Sequence, residues 1–205
     1  MAYRAPPAPE FAEPLPITPS EPVLEFLARR RSASALALSA PGPDEGQIAD
    51  LLRLAARVPD HGKLAPWRFI LLQGEHKTAL ANRLEAIAAT REDATKLIAK
   101  LGKLRTPPMG VAVVSSLQPG DIPDWEQLLS AGAVCTDLLH AAAAMGYGAN
   151  WITDWYAYDA EAAALLGLGP QERIAGYVFI GTAAEAPAER VRPDVASLTS
   201  VWTPA

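Results

Sequence analysis

The chain has 205 residues, half of them apolar and 20% charged, and its 18 basic and 23 acidic side chains leave a net charge of −5. This composition supports one substantial core and offers no broad positive field for a polyanion, which argues against generic nucleic-acid binding. The single cysteine, Cys135, excludes an intramolecular disulfide scaffold and any multi-cysteine zinc or iron–sulfur centre; it fits a reducing compartment, so a cytoplasmic location is expected. No run approaches the ~20 apolar residues of a membrane helix, and no membrane partner is expected.

Residues 1–21 form a proline-rich extension ahead of a single expected domain over 22–205. The extension lacks the basic cluster and apolar core of a secretory signal. Its prolines favour extended, polyproline-like backbone, so it is either mobile or laid across a surface of the rest of the chain. Ser20, Glu21 and Pro22 open a helix in cap, acid and first-turn-proline order, with Val23, Leu24, Phe26 and Leu27 as its apolar stripe and Arg29-Arg30-Arg31-Ser32 at its end. After the Pro41-Gly42-Pro43 turn, Asp44 and Gln47 stand at capping-box spacing, and Ile48, Leu51, Leu52, Ala55 and Val58 predict a second helix that Pro59 stops.

Trp67 to Leu72 is expected to be the first strand, ended by Gln73-Gly74. Residues 75–90 and 91–104 read as one broken or two consecutive helices, and Val111 to Val114 as a second strand after Pro107-Pro108. Trp125, Leu128, Leu129, Val134, Leu138, Leu139 and Met145 recur at helical spacing, with Gly146 and Gly148 ending that helix. Ala149 to Thr153, a short helix over 159–166 and Ile174 to Gly181 complete the set. Short apolar strands separated by helices predict an α+β, or layered α/β, fold around a central mixed sheet of four or five strands.

Most catalytic signatures are absent: there is no G-x-S-x-G, no P-loop and no G-x-G-x-x-G after a strand. His61, His76 and His140 have no His or acid at metal-ligand spacing, so no metal site is expected. Cys135 and His140 are five residues apart on one helix and so on different faces, which makes the thiol a buried, inert one. The arginines at 29–31 have two readings: cations complementing a helix C-terminus, or guanidinium forks that with Ser32 grip a phosphate monoester.

Arg57-Val58-Pro59-Asp60-His61-Gly62-Lys63-Leu64-Ala65-Pro66-Trp67-Arg68-Phe69 adds context. With R-R-S before it, this stretch resembles the FMN-dependent nitroreductase-like oxidoreductases, in the compact bacterial branch that shows P-D-H-G-x-L-x-P-W-R-F. The resemblance runs from about Val23 to Trp202. It includes Asp124-Trp125-Glu126-Gln127 with Ser130-Ala131-Gly132, then Gly146-Tyr147-Gly148-Ala149-Asn150-Trp151, and Gly176-Tyr177-Val178-Phe179-Ile180-Gly181-Thr182. It implies a nitroreductase-like fold, an obligate-type homodimer with FMN at the interface, and NADH or NADPH as electron donor. The implied activity is reduction of nitroaromatic or quinone-like acceptors by ping-pong hydride transfer through FMN. A non-catalytic flavin or nucleotide binder on the same fold is the alternative.

Carried over by position, the resemblance implies that Arg30, Arg31 and Ser32 hold the FMN phosphate and ribityl chain, and that Arg190 or Arg192 adds phosphate contact. Arg57 and His61 would reach flavin bound mainly by the other subunit. Trp151, Ile152 and Thr153 would line the flavin, and a pyridine nucleotide would approach across Ala141, Ala142, Ala143, Ala144, Met145 and Gly146. No side chain is implied as nucleophile or metal ligand, because a flavin carries its own redox chemistry. The chain departs from the family pattern at Ala35 and Ile152, where relatives often carry arginine, and at Asp154, where glycine is frequent. Trp151 reads equally as core or cofactor contact; Trp155 and Tyr156 either wall a substrate pocket or simply pack.

Overall fold

A computed structural model describes residues 3–204; the first two residues of the proline-rich extension and Ala205 of the expected domain lie outside the described residues. In chain order the elements are α1 (Glu21–Arg29), β1 (Leu38–Ser39), α2 (Glu45–Ala55), β2 (Trp67–Gln73), α3 (Gly74–Ala89), α4 (Ala94–Lys100), α5 (Gly102–Arg105), β3 (Met109–Ser116), α6 (Asp124–Ala144), β4 (Gly148–Ile152), α7 (Ala160–Leu165) and β5 (Glu172–Ala183). The capping box forms as spaced: Asp44 accepts from the Gln47 N–H at 2.8 Å, and the Gln47 side chain accepts from the Asp44 N–H at 3.1 Å.

The five strands make one sheet in which β5 pairs with β1, β3 and β4, and β3 also pairs with β2. Each of these pairings is antiparallel, which corrects the expected mixed sheet. The cause lies in the helices between strands. A helical connection that crosses the sheet once sets its strands parallel. Here α3 leads away and α4 and α5 lead back, so that Gln73, at the end of β2, pairs with Met109, at the start of β3.

Both faces of the sheet are covered, and the two-residue period of a strand divides the core accordingly. Val111, Val113, Val178 and Ile180 face α2 and α6, packing with Ile48, Leu51, Val134 and Leu138. Their neighbours Ala112, Val114, Tyr177 and Phe179 face the other way, against Leu84, Leu101, Leu104 and Tyr156. Gly110 lies opposite Phe179, and a Cβ there would stand 2.7 Å from the Phe179 ring, so the absence of a side chain lets the ring cross the strand. Lys77 is buried with its ammonium donating to the carbonyls of Leu104, Arg105 and Pro107 at 3.0, 2.8 and 2.6 Å, which satisfies the end of α5.

The chain ends differ. The start of the extension is laid across α2: Arg4 pairs with Asp50, the Ala5 N–H donates to Asp50 at 3.1 Å, and Arg53 donates to the Pro6 carbonyl at 2.7 Å. Helix α1 has no buried residue, and its expected core stripe stays open at Val23, Leu24 and Leu27. Phe11, Ile17, Val201 and Trp202 are exposed as well.

Candidate functional site

Beyond α1 the backbone is stitched to β4: the Ala33 N–H donates to the Ala149 carbonyl at 3.0 Å, and the Asn150 side-chain amide donates to the Ala33 carbonyl. This sets Arg30, Arg31 and Ser32 beside the sheet edge that carries Trp151. Arg30 donates to Ser32 Oγ at 3.4 Å and, among the described residues, has no carboxylate partner. It lines a cleft of about 480 Å³ with Pro22, Phe26 and Ala143, between α1 and the end of α6. Arg31 donates to the Ala188 carbonyl at 2.9 Å and stands 3.7 Å from Glu189, which also pairs with Arg192 at 3.0 Å. The Arg190 N–H, helped by Arg192 and Arg31, holds the Glu189 carboxyl below its ordinary range. Of the five side chains expected to bind phosphate, Arg30 and Ser32 thus touch each other, and Arg31 and Arg192 already share an anion.

In β4, the Trp151 indole N–H donates to the Ala175 carbonyl at 3.3 Å and the ring lies over Gly176, where a Cβ would overlap it. The outer part of this indole remains open to solvent. Ile152 packs into the core with Tyr177 and Phe179, and the Thr153 hydroxyl accepts from Tyr158 at 2.7 Å. Of the three, Trp151 and Thr153 are exposed and Ile152 is half-buried.

Arg57 and His61 belong to a second group. Pro59 to Pro66 form a tight turn with positive φ at Gly62, Lys63 and Ala65. Non-glycine residues adopt that region at a cost, so other contacts must hold it. They do: Asp60 accepts from the Leu64 and Ala65 N–H groups at 3.2 and 2.8 Å, and Ser130 donates to the Pro59 carbonyl at 2.9 Å. His61 Nδ1 stands 2.7 Å from Glu126 Oε2. The open cavity there, about 390 Å³, is lined by Pro59, His61, Trp125, Glu126, Leu129 and Ser130. Arg57 is exposed and, among the described residues, has no carboxylate partner. Glu126 and Ala143 belong to the same helix, 17 residues apart, so the two groups are separated by about 25 Å along α6.

The pyridine-nucleotide segment is only partly at the surface, since Ala141, Ala142 and Met145 turn into the core. Asp154 is buried away from Trp151: it accepts from the Trp155 N–H at 2.8 Å and pairs with Lys100 and Lys103, each at 3.1 Å. Burial alone would raise its pKa, but these contacts outweigh burial and keep the carboxyl below the ordinary range. Ala35 is likewise a core residue, so a longer side chain at that position would have to unpack Leu101 and Leu104. Tyr156 packs inside the core, and the Trp155 indole N–H donates to the Leu97 carbonyl at 3.1 Å. Burial pushes the Cys135 thiol up to about 12, which makes it inert as read.

Residues 27–182 match the sequence model of the Nitroreductase family. The chain belongs to that family. A relative in Escherichia coli strain K12, named "Putative NAD(P)H nitroreductase YdjA", is 34% identical over 161 residues, which cover 78% of this chain and 87% of the relative. The nitroreductase-like family protein from Bacillus cereus has the same fold, with a TM-score of 0.79 at 21% identity over 91% of this chain and 98% of that one. A nitroreductase with bound FMN from Bacteroides fragilis NCTC 9343 superposes with a TM-score of 0.66 at 20% identity, over 90% of this chain and all of that one (100%).

In this member of the family, sequence reasoning misses three side chains that touch the expected site. Glu126 and Ser130 enter the sequence reading only as parts of motifs, and Glu189 not at all. The signal for the first two was their i, i+4 spacing on the first turns of α6, which sets both on one face toward the 59–66 turn. Among the described residues no group of three or more His, Cys, Asp or Glu side chains is placed to hold a metal, and no helix is long and apolar enough to cross a membrane.

Proposed function

We propose that this nitroreductase is an FMN-dependent NAD(P)H oxidoreductase that reduces nitroaromatic or quinone-like acceptors, as a homodimer with FMN at the subunit interface. The observation that carries the reading is the donor set at the end of α1: Arg30, without a carboxylate partner, beside Ser32 and beside an Arg31–Arg192 pair that already holds an anion. A phosphate monoester needs those forked, charge-assisted donors. Arg190 and Arg192 extend the set along the tail, and the open face of Trp151 gives a flat ring an apolar wall.

In this reading Arg57 and His61 serve the flavin held by the other chain, because in their own chain they lie at the far end of α6 from Arg30. Ala143, Ala144 and Gly146 are the part of their segment left for a nicotinamide to approach. Bound FMN supplies two-electron redox chemistry, and the chain's own residues bind and orient it and exclude water around it. The relatives agree in kind: one is named for NAD(P)H, and another holds FMN in its structure.

Anaerobic titration of the purified protein tests the reading. A yellow protein that bleaches with NADH or NADPH and recovers its colour with a nitroaromatic or quinone is the expected result. A protein that binds no FMN would overturn it, and one that stays yellow would be the non-catalytic flavin binder.

A further inference from the structure

We infer that Glu126 is a positioning residue for His61, fixing which imidazole nitrogen is left free to meet the flavin. The inference rests on the reading of His61 as a cofactor contact and assigns a role to a side chain outside that set. Glu126 Oε2 lies 2.7 Å from His61 Nδ1, so the carboxylate accepts from an Nδ1–H. A neutral imidazole carries one proton, and holding it on Nδ1 leaves Nε2 as the acceptor.

The surroundings fix this pair on both sides. Glu126 stands on the first turn of a 21-residue helix, a rigid base. One turn further, Ser130 donates to the Pro59 carbonyl, so the same helix grips the turn at two points. Asp60 holds the positive-φ end of the turn through Leu64 and Ala65. The imidazole is therefore presented from a loop whose backbone and ring are each held, while its outer side remains open, with 64% of the side chain exposed. A histidine serving only to shape the turn would not need a carboxylate partner from another element. A ring orientation fixed before the ligand arrives costs no ordering on binding.

The test compares wild type, Glu126→Ala and Glu126→Gln as full-length proteins, reading the ¹⁵N shifts of the His61 ring and the FMN dissociation constant by flavin fluorescence. In wild type the Nδ1 proton is expected. Glu126→Ala should move that proton to Nε2 and weaken FMN about fivefold to tenfold, the cost of ordering one freed side chain on binding. Glu126→Gln can turn its amide to donate to Nδ1 as readily as to accept from it, so it should no longer hold the Nδ1 tautomer fully and should weaken FMN no more than Glu126→Ala does. The inference falls if Glu126→Ala leaves the tautomer or the affinity unchanged, or if Glu126→Gln keeps the tautomer as fully as wild type and yet loses the affinity. A wild-type protein that binds no FMN would instead remove the functional reading beneath it.

Discussion

The central sheet and the chain's two ends treat apolar side chains in opposite ways. Along β3 and the 176–181 stretch of β5 nearly every residue is buried, alternately against α2 and α6 on one face and against α3, α5 and Tyr156 on the other. In α1 and the tails, Phe11, Ile17, Leu24, Val201 and Trp202 stand in solvent, although the sequence spends apolar residues there as freely. The sheet is completed by this chain alone, whereas the exposed apolar side chains of the ends are the ones that the proposed homodimer would cover. The residues proposed to hold the cofactor follow the same division: Trp151 rises from the sheet, and Arg30, Arg31 and Arg192 belong to the ends.

The sharpest way to break that contrast is in the core. Phe179→Ala should cost about 3–5 kcal/mol of unfolding free energy, because the ring fills the space over Gly110 and between Tyr177 and the helices behind it. Chemical denaturation measures it, and a loss below about 1 kcal/mol would mean the face is not packed as described. At the chain ends, Arg30→Ala should weaken FMN about tenfold to a hundredfold, the equivalent of roughly 1.5–3 kcal/mol, without moving the thermal midpoint of the flavin-free protein. Loss of stability with unchanged affinity would make Arg30 a helix terminus and nothing more. Lys77→Met should cost about 1–3 kcal/mol by leaving the carbonyls of Leu104 and Pro107 without their donor. Equal stability of the variant and wild type would contradict that account of α5.

Acid sharpens the comparison further. Arg68 holds Glu172 through two hydrogen bonds, at 2.6 and 2.7 Å, and lowers its pKa from the ordinary 4.5 to about 2. Arg4 does the same for Asp50, from 3.8 to about 2. Both folded values are depressed, so the stabilisation is present above the unfolded values and is lost as pH falls from about 4.5 toward 2. Thermal midpoints should drop across that window, less steeply in Arg68→Met. Parallel profiles would deny the Arg68–Glu172 pair its role. The smallest effect on the folded chain is expected from Leu24→Ser, within about 0.5 kcal/mol for the core, since the side chain touches nothing buried. Its effect should appear in self-association, as a lower mass by light scattering.

Much of this was legible in the sequence, for reasons that particular residues make plain. The capping box at Asp44 and Gln47, the run from Trp67 and the long helical period from Trp125 each act through local spacing, and each appears where expected. Strand β1 was missed because two residues, Leu38 and Ser39, carry no period, and their pairing with Thr182 and Ala183 is set by the end of β5. Strand direction was missed because it depends on how far α3, α4 and α5 carry the chain. Arg30, Arg31, Ser32, Arg57, His61 and Trp151 are candidates that rest on motif resemblance. Glu126 touches His61 across 65 positions of sequence, signalled only by its i, i+4 spacing with Ser130, and Glu189 touches Arg31 across 158 with no local signal at all. Asp154 stands where the family pattern favours glycine, and no local spacing announces that Lys100 and Lys103 draw it inward.

The central claim is that one flavin site is assembled from two chains, Arg30 from one and His61 from the other. Size-exclusion chromatography with light scattering and flavin absorbance on the same peak tests it most directly. The account predicts a mass near twice 21.8 kDa, about 44 kDa, carrying close to one FMN per chain. A species of about 22 kDa that keeps its FMN and is bleached by NADH or NADPH would contradict it.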